Sequence, residues 1–152
     1  MLDIGQSAPD FILPRDGGDT VRLSDLRGQK VVLYFYPKDN TPGCTTEALD
    51  FTALKADFAA AGTQVFGISK DSVKKHDNFC AKHSLGIPLL SDADGTVCED
   101  YGVWAQKQMY GKTFWGIVRA TYLIDAAGTV AQVWPKVKVA GHAAQVLEAA
   151  RA

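Results

Sequence analysis

The chain has 152 residues and a formal net charge of −1, with 16 Lys and Arg against 17 Asp and Glu. Hydrophobic residues make up 47% and charged residues 22%, as in globular proteins, so we expect one ordered domain spanning residues 1–152. A charge so near zero argues against a dedicated nucleic-acid binder. No apolar stretch exceeds about six residues and no secretory signal is visible, so we expect no membrane span and a cytoplasmic protein. Three cysteines, an odd number, do not make a disulfide scaffold.

The first part of the chain predicts a β-hairpin followed by a buried strand. Two short extended segments, 10–14 and 20–23, flank a Gly-rich loop and predict an N-terminal hairpin. Residues 31–36 are continuously β-branched, aliphatic or aromatic, which is typical of a strand buried on both faces of a parallel or mixed sheet. Because residues 38–43 contain Asn, Thr, Pro and Gly, we predict that they form a loop after this strand.

Helices and strands alternate through the rest of the chain. Helices are predicted over 44–61, from Asp71 or Ser72 to about 84, over 95–101 and over 141–152. Extended segments are predicted over 64–69, 87–90, 120–124 and 129–134, the last two joined as a hairpin. This order predicts an α/β fold with a central mixed β-sheet flanked by helices.

Cys44 is the first candidate for chemistry, because it lies where the loop after the buried strand meets a helix. In open α/β sheets, sites form in the crevice beyond the carboxyl ends of the strands. A helix N-terminus has partial positive charge and free N–H groups, which favour a nucleophilic thiolate over a thiol. Pro42 stiffens the approach, and the Thr41 hydroxyl could hydrogen-bond the sulfur or an oxygen substrate. The alternative is that Cys44 is a small apolar residue at a helix start.

The residues around Cys44 resemble a known family. Pro37, Thr41 and Cys44 match the P-x-x-x-T-x-x-C pattern of peroxiredoxins, and segments 34–38 and 41–47 resemble the Q-type subfamily, also called bacterioferritin comigratory protein. Further matches lie at 67–72, 90–92, 102–104, 109–112 and 116–119. The resemblance implies a thioredoxin-like fold and the reduction of hydrogen peroxide and organic hydroperoxides by a thiol. It implies no metal, haem or flavin cofactor.

The resemblance also assigns roles to individual residues. Cys44 corresponds to the peroxidatic cysteine, Thr41 to the hydroxyl that binds peroxide, and Pro37 to the residue that shields the site from bulk water. Arg119 corresponds to the arginine that stabilises the thiolate and orients peroxide, a role that suits a permanently charged guanidinium. From its sequence surroundings alone, Arg119 would be an ordinary surface arginine. Glu47 either supports Arg119 or is simply an acidic residue in the first turn of a helix.

Two cysteines could resolve the sulfenic acid that peroxide would form on Cys44. Many Q-type relatives carry the second thiol five residues after the first, where this chain has Leu49, so the chain departs from that pattern. Cys80, 36 residues after Cys44, matches the position that a second class of Q-type relatives uses. The alternative for Cys80 is half-buried packing in its helix. Cys98 is flanked by Val97 and Tyr101 and is predicted to fill the core.

A disulfide between Cys44 and Cys80 would require movement. The Cα atoms of a disulfide are about 4.4–6.8 Å apart, whereas packed helix axes are about 8–10 Å apart. We therefore predict that the start of the Cys44 helix and the Cys80 helix unwind during turnover. The resemblance implies reduction of the disulfide by thioredoxin or a similar dithiol protein, and a monomeric state. A one-cysteine peroxidase with an external thiol as resolver, and a peroxide sensor or holdase, are the alternatives.

Other polar residues give weaker signals. His76, His83 and His142 are expected at the surface or half-buried rather than in catalysis. Cys80 and His83 have a spacing that suits zinc, but no second pair exists at structural-zinc spacing, so no metal site is predicted. The chain has no C-x-x-C motif, which argues against a thioredoxin-type disulfide reductase.

Overall fold

The computed structural model describes residues 1–152, and its N-terminal part is an antiparallel hairpin. Strands β1 (Ile12–Pro14) and β2 (Thr20–Arg22) pair with Leu13 opposite Val21. The hairpin lies where the sequence predicts it. A short 3₁₀ turn, Leu23–Leu26, then leads toward the central sheet.

The remaining elements alternate between strands and helices. In chain order the strands are β3 (Lys30–Phe35), β4 (Thr63–Ser69), β5 (Leu89–Ser91), β6 (Trp104–Met109), β7 (Lys112–Ile117), β8 (Ala120–Ile124) and β9 (Val130–Trp134). The helices are α1 (Pro42–Ala53), α2 (Lys55–Ala60), α3 (Val73–His83), α4 (Val97–Asp100) and α5 (His142–Arg151). None of these helices combines the length and the apolar character that crossing a membrane requires.

The centre of the fold is a five-stranded mixed sheet in the order β5-β4-β3-β8-β9. Strand β3 runs parallel to β4, and β4 runs parallel to β5, whereas β8 is antiparallel to both β3 and β9. Residues 31–35 of β3 are buried, as their continuous apolar character predicts for a central strand. The predicted α/β fold with a mixed central sheet is therefore confirmed.

Alternate residues of β3 contribute to two separate cores, one on each face of the sheet. One core joins Leu33 to the N-terminal hairpin and α4, and we call this side the hairpin face. The other joins Val32 and Tyr34 to the helices, and we call it the helix face. Its helical members are Cys44, Ala48, Phe51, Phe58, Phe79, Ala143, Val146, Leu147 and Ala150. The sheet thus separates two environments with different partners.

The helix predicted over 44–61 differs from the observed structure at its start and in its middle. Helix α1 begins at Pro42, a favoured first position because the missing proline N–H would have no partner there anyway. The helix ends at Ala53, and α2 begins after Leu54, whose ψ of 5° departs from helical values. No Gly or Pro marks this break in the sequence, and Phe51 and Phe58 on either side of it both pack in the helix-face core.

The hairpin formed by β6 and β7 is absent from the sequence-based prediction. Its strands pair from Trp104–Ile117 to Met109–Lys112 around a two-residue turn. Tyr110 and Gly111 have positive φ angles of 53° and 75°, as a tight hairpin turn requires. Most of its residues are exposed, so no regular apolar alternation marks these strands in the sequence.

Candidate active site

Cys44 lies in the first turn of α1, directly beyond the carboxyl end of β3. Thr41 precedes the helix with extended backbone angles, and its carbonyl accepts the first helical hydrogen bond from the Thr45 N–H at 2.9 Å. The Cys44 side chain is only 1% exposed. The sulfur is therefore held in a largely dry position beside the free N–H groups of a helix start.

Arg119 contacts both Cys44 and Glu47, which lie one turn apart on α1. Its Nη2 donates to Cys44 Sγ at 3.2 Å, and its Nη1 donates to Glu47 Oε1 at 2.6 Å. Arg119 immediately precedes β8, whose first residue, Ala120, pairs with Phe35 at the end of β3. Sheet pairing thus brings the guanidinium to the start of α1. Burial alone lowers the pKa of Arg119, but the charges of Glu47 and Cys44 outweigh burial and raise it.

Glu47 is a buried carboxylate rather than an exposed acid at a helix start, with 1% of its surface exposed. Burial raises the pKa of Glu47 to about 7, and the ion pair with Arg119 opposes part of that rise. Its Oε2 atom has no hydrogen-bond partner in the protein. Glu47 therefore contacts the guanidinium through one oxygen and leaves the other unpaired inside the protein.

Gly43 leaves room for the guanidinium at the start of α1. A Cβ atom at this position would lie 3.3 Å from Arg119 Nη2, closer than most such contacts. Since Gly43 has no side chain, Arg119 can approach Cys44 without displacement. The short distance indicates that residue 43 contributes to the site through its small size.

Thr41 and Pro37 frame the loop before Cys44. The Thr41 hydroxyl donates to the Lys38 carbonyl at 2.9 Å rather than to the sulfur. Its hydrogen is thereby used, and its oxygen lone pairs remain free to accept a hydrogen bond. Pro37 lies two residues after the end of β3 and is exposed. The structure thus places Thr41 as an acceptor beside the helix start and Pro37 at the surface of the same loop.

The other two cysteines lie on opposite faces of the sheet. Cys80 is half-buried in α3 and packs against the helix-face core, the core that also holds Cys44. Burial raises the pKa of Cys80 to about 12, and the nearby carboxylates of Asp16 and Asp39 add to this effect. Cys98 is fully buried in the hairpin-face core, which confirms the prediction that it packs there.

The expectation for the histidines is wrong for two of the three. His76 is 0% exposed and His142 is 3% exposed, whereas His83 is half-buried as expected. Both buried rings have polar partners inside the fold. His142 Nε2 lies 2.8 Å from the Thr121 hydroxyl, and the His76 ring contacts Asp39 at 2.6 Å. These partners come from distant parts of the chain, so local sequence does not reveal them.

Lys107 is a further neighbour of the site that sequence reasoning missed. Burial lowers its pKa, the charge of Arg119 lowers it further, and Cys44 acts in the opposite direction. Lys107 belongs to β6 of the β6–β7 hairpin. Just beyond the two strands, the Val118 N–H donates to the Val103 carbonyl at 2.7 Å and closes the base of the hairpin next to Arg119. Only the pairing of this hairpin could have indicated the position of Lys107.

The sequence and the fold match proteins of a known family. The sequence model of a family described as AhpC/TSA matches residues 4–133. The chain belongs to the AhpC/TSA family. A putative peroxiredoxin Bcp from Coxiella burnetii is 54% identical over 96% of this chain and 97% of its own length. Peroxiredoxin Bcp from Xanthomonas campestris is 49% identical over 100% of this chain and 95% of its own length.

Solved structures of AhpC/TSA relatives have the same fold. A Xanthomonas campestris bacterioferritin comigratory protein, studied for alkyl peroxide reduction, superposes with a TM-score of 0.91 at 48% identity and covers 98% of both chains. A Xylella fastidiosa peroxiredoxin Q variant gives a TM-score of 0.92 at 42% identity, over 97% of this chain and 94% of that one. The predicted resemblance to Q-type peroxiredoxins and the thioredoxin-like fold are confirmed.

Proposed function

We propose that the chain is a thiol-dependent peroxidase in which Cys44 is the peroxidatic cysteine. The contact of Arg119 with both Cys44 Sγ and Glu47 carries this proposal. The Cys44 thiolate attacks one oxygen of the peroxide, an S–O bond forms, and the O–O bond breaks. The leaving oxygen takes up a proton and departs as water or an alcohol, and Cys44 becomes a sulfenic acid. The Arg119 guanidinium stabilises the thiolate and the negative charge that develops on the leaving oxygen.

Thr41 and Pro37 complete the peroxide site in this proposal. Because the Thr41 hydroxyl hydrogen is donated to the Lys38 carbonyl, its oxygen accepts a hydrogen bond from the O–H of the peroxide. Such a contact favours a hydroperoxide, which has a hydrogen to donate, over a dialkyl peroxide. Pro37 covers the site from bulk water at the surface of the loop.

Cys80 resolves the sulfenic acid in this proposal. Its thiolate attacks the Cys44 sulfur, an S–S bond forms, and the sulfenic oxygen leaves as water after protonation. Cys80 packs against the same core as Cys44, whereas the sheet separates Cys98 from both. Two solved structures of Xanthomonas campestris peroxiredoxin Q each carry one cysteine-to-serine replacement, at different positions. The two replaced cysteines are the same number of residues apart as Cys44 and Cys80. The start of α1 and α3 unwind for this step.

A dithiol protein of the thioredoxin type then reduces the Cys44–Cys80 disulfide. The disulfide transfers to the reductant, and both cysteines of this chain return as thiols. Residues 1–152 act as one domain, without a metal, haem or flavin cofactor, as a cytoplasmic monomer. The single domain is supported by the bacterial peroxiredoxins that match the chain over nearly their whole length.

One observation favours a one-cysteine peroxidase as the second candidate. Burial raises the pKa of Cys80 to about 12, so in the folded helix Cys80 is a thiol rather than a thiolate near neutral pH. In that case an external thiol would resolve the Cys44 sulfenic acid. Unwinding of α3 would expose Cys80 and remove the burial that raises its pKa. The two candidate mechanisms therefore differ in whether α3 opens.

Replacing each cysteine by serine in turn tests the proposal. Peroxide turnover coupled to thioredoxin and NADPH oxidation should vanish in Cys44→Ser and should lose its thioredoxin-linked recycling in Cys80→Ser. Cys98→Ser serves as the matched control, because Cys98 lies on the other face of the sheet, and it should retain near wild-type turnover.

Mass spectrometry after one equivalent of peroxide separates the two candidates. An intramolecular Cys44–Cys80 crosslink, with a loss of two hydrogens, supports resolution by Cys80. A persistent sulfenic acid or a mixed disulfide with an added thiol in the wild-type protein would establish the one-cysteine mechanism. Full turnover by Cys44→Ser would refute both.

A further inference from the structure

The fully buried His76 ring hydrogen-bonds two acceptors. Its Nδ1 lies 2.6 Å from Asp39 Oδ2, and its Nε2 lies 2.9 Å from the Leu90 carbonyl. A carbonyl oxygen and a carboxylate oxygen only accept hydrogen bonds, so both ring nitrogens have to carry a hydrogen. His76 is therefore an imidazolium ion with no exposed surface. Burial by itself lowers its pKa, but the hydrogen bond and charge of Asp39 outweigh burial and raise the pKa above 6.5.

Charged and titratable groups reach His76 from each side of its pocket. Asp39 lies in the loop after β3, and Asp71 lies in the loop between β4 and α3. Tyr36, the first residue after β3, has its ring centroid 6.5 Å from that of His76. The Tyr36 hydroxyl donates to Asp39 Oδ1 at 2.6 Å. Strand β5 contributes only the Leu90 carbonyl. On α3 itself, Lys75 lies 3.9 Å from Asp71 and pairs with it rather than with His76.

The Asp39–His76 pair joins the two segments that the proposed chemistry has to move. Asp39 lies between Pro37 and Thr41, in the loop that enters α1 and Cys44. His76 lies one helical turn before Cys80 in α3. The loop is anchored a second time, because the Asp39 N–H donates to Asp71 Oδ2 at 2.8 Å. Opening of α3 away from the loop that contains Asp39 therefore requires breaking the Asp39–His76 ion pair.

We propose that Asp39 and His76 are positioning residues that form a charge-dependent latch, which sets how readily α3 opens to bring Cys80 to Cys44. This inference rests on the proposed roles of the two cysteines. When His76 loses its proton, one ring nitrogen no longer donates, and a lone pair faces the carboxylate or the carbonyl. The raised pKa means that the latch stabilises the fold below about pH 6.5 and is lost as pH rises through the higher pKa of the folded protein. Higher pH therefore favours opening of α3.

Asp39→Asn converts the latch to an uncharged form of the same shape. The amide oxygen would still accept from the Tyr36 hydroxyl, and the amide nitrogen would donate to Nδ1 of a neutral His76. The Nε2–H of His76 would still donate to Leu90. This variant should fold, and the opening of α3 should no longer depend on the charge of His76. His83→Gln is the matched control, because His83 belongs to the same helix and has no carboxylate partner.

The test is amide hydrogen exchange of α3 in the reduced protein, from about pH 6 to about pH 9, corrected for the intrinsic pH dependence of exchange. In the wild type and in His83→Gln, protection of α3 should fall about tenfold as His76 loses its proton, which is the effect of losing one buried hydrogen bond. In Asp39→Asn, protection should not change. Identical profiles in wild type and Asp39→Asn would overturn the latch.

Nitrogen NMR of the His76 ring provides a second readout that needs no variant. Both ring nitrogens should show imidazolium shifts at about pH 6, and a neutral ring there would refute the proposal. Both measurements use reduced protein without peroxide, so they do not depend on the role of Cys80. Absence of a Cys44–Cys80 crosslink would refute the proposed resolution step alone, whereas constant protection of α3 with a normal crosslink would refute the latch alone.

Discussion

The two faces of the central sheet differ in how well they satisfy their buried polar groups. On the hairpin face, the Tyr101 hydroxyl donates to the Pro9 carbonyl at 2.7 Å, and the Tyr122 hydroxyl donates to the Tyr101 carbonyl at 2.6 Å. On the helix face, the Tyr34 hydroxyl and Glu47 Oε2 are buried without a partner. Buried polar atoms without partners are costly, so the helix face gives up stability that the hairpin face retains.

The starts of α4 and α1 show the same contrast. Asp92, which is 0% exposed, accepts hydrogen bonds from the N–H groups of Val97 and Cys98 and so caps α4 on the hairpin face. Helix α1 on the helix face begins at Thr41 without a side-chain cap. Helix α3, in contrast, is capped by the Ser72 hydroxyl, which accepts from the Lys75 N–H at 3.2 Å. All the proposed catalytic groups lie around the helix face, the side of the sheet with the buried polar atoms that have no partner. The comparison indicates that local stability on the helix face is lowest at the start of α1, and the following experiments test that conclusion.

Arg119→Lys should have the largest effect on the helix face. The lysine ammonium is a single point charge and cannot contact Cys44 and Glu47 together as the planar guanidinium does. We expect the second-order rate constant for peroxide reduction to fall about 100-fold, the usual effect of losing one aligned donor. Stopped-flow fluorescence of Cys44 oxidation measures this rate. A rate within a factor of about two of wild type would show that the second contact is unnecessary.

His142 should make the helix face sensitive to acid. Burial, followed by the charge of Arg119, lowers the pKa of His142 to about 4. Because His142 binds a proton more readily in the unfolded chain, the contribution of the neutral buried ring to the free energy of unfolding is complete above about pH 6.5. This contribution is lost as pH falls toward 4. His142→Gln should reduce the fall in unfolding free energy over this window by roughly 2 kcal/mol. Urea denaturation at several pH values measures the free energy of unfolding. The same dependence on pH in His142→Gln and in the wild type would contradict the lowered pKa of His142.

A pair of tyrosine substitutions compares the two faces directly. Tyr122→Phe on the hairpin face removes a donor from the Tyr101 carbonyl and an acceptor from the Leu2 N–H, so unfolding free energy should fall by roughly 1–2 kcal/mol. Tyr34→Phe removes a hydroxyl without a partner and should leave stability unchanged or raise it by up to about 1 kcal/mol. Urea denaturation tests both, and equal losses would remove the contrast between the faces.

Gly43→Ala should have the smallest effect and should act on activity rather than on stability. The new methyl group would lie 3.3 Å from Arg119 Nη2 and displace the guanidinium slightly, so we expect peroxide reduction to slow about fivefold. Gly86→Ala is the control, because its methyl group would be equally close, at 3.3 Å, to Thr52 Cγ2 away from the site. Similar rates in the two variants would show that space at residue 43 does not matter.

Local patterns in the sequence were sufficient for most of the fold. The buried strand over 31–36 and the terminal helix over 141–152 both correspond to observed elements, because their composition matches their burial. The β6–β7 hairpin was missed since its exposed strands have no apolar period. The split of the first long helix at Leu54 was missed because no Gly or Pro marks it in the sequence.

The candidate active site follows the same division. Local sequence was enough to predict Cys44 as the reactive residue, because Cys44 follows a buried strand at a helix start and lies in the motif with Thr41 and Pro37. The burial of Glu47 against Arg119 and of His76 against Asp39 became visible only in the three-dimensional structure. These properties depend on partners distant in the chain and on exclusion of water. Neither pairing nor burial of a polar side chain is written in its neighbours along the sequence.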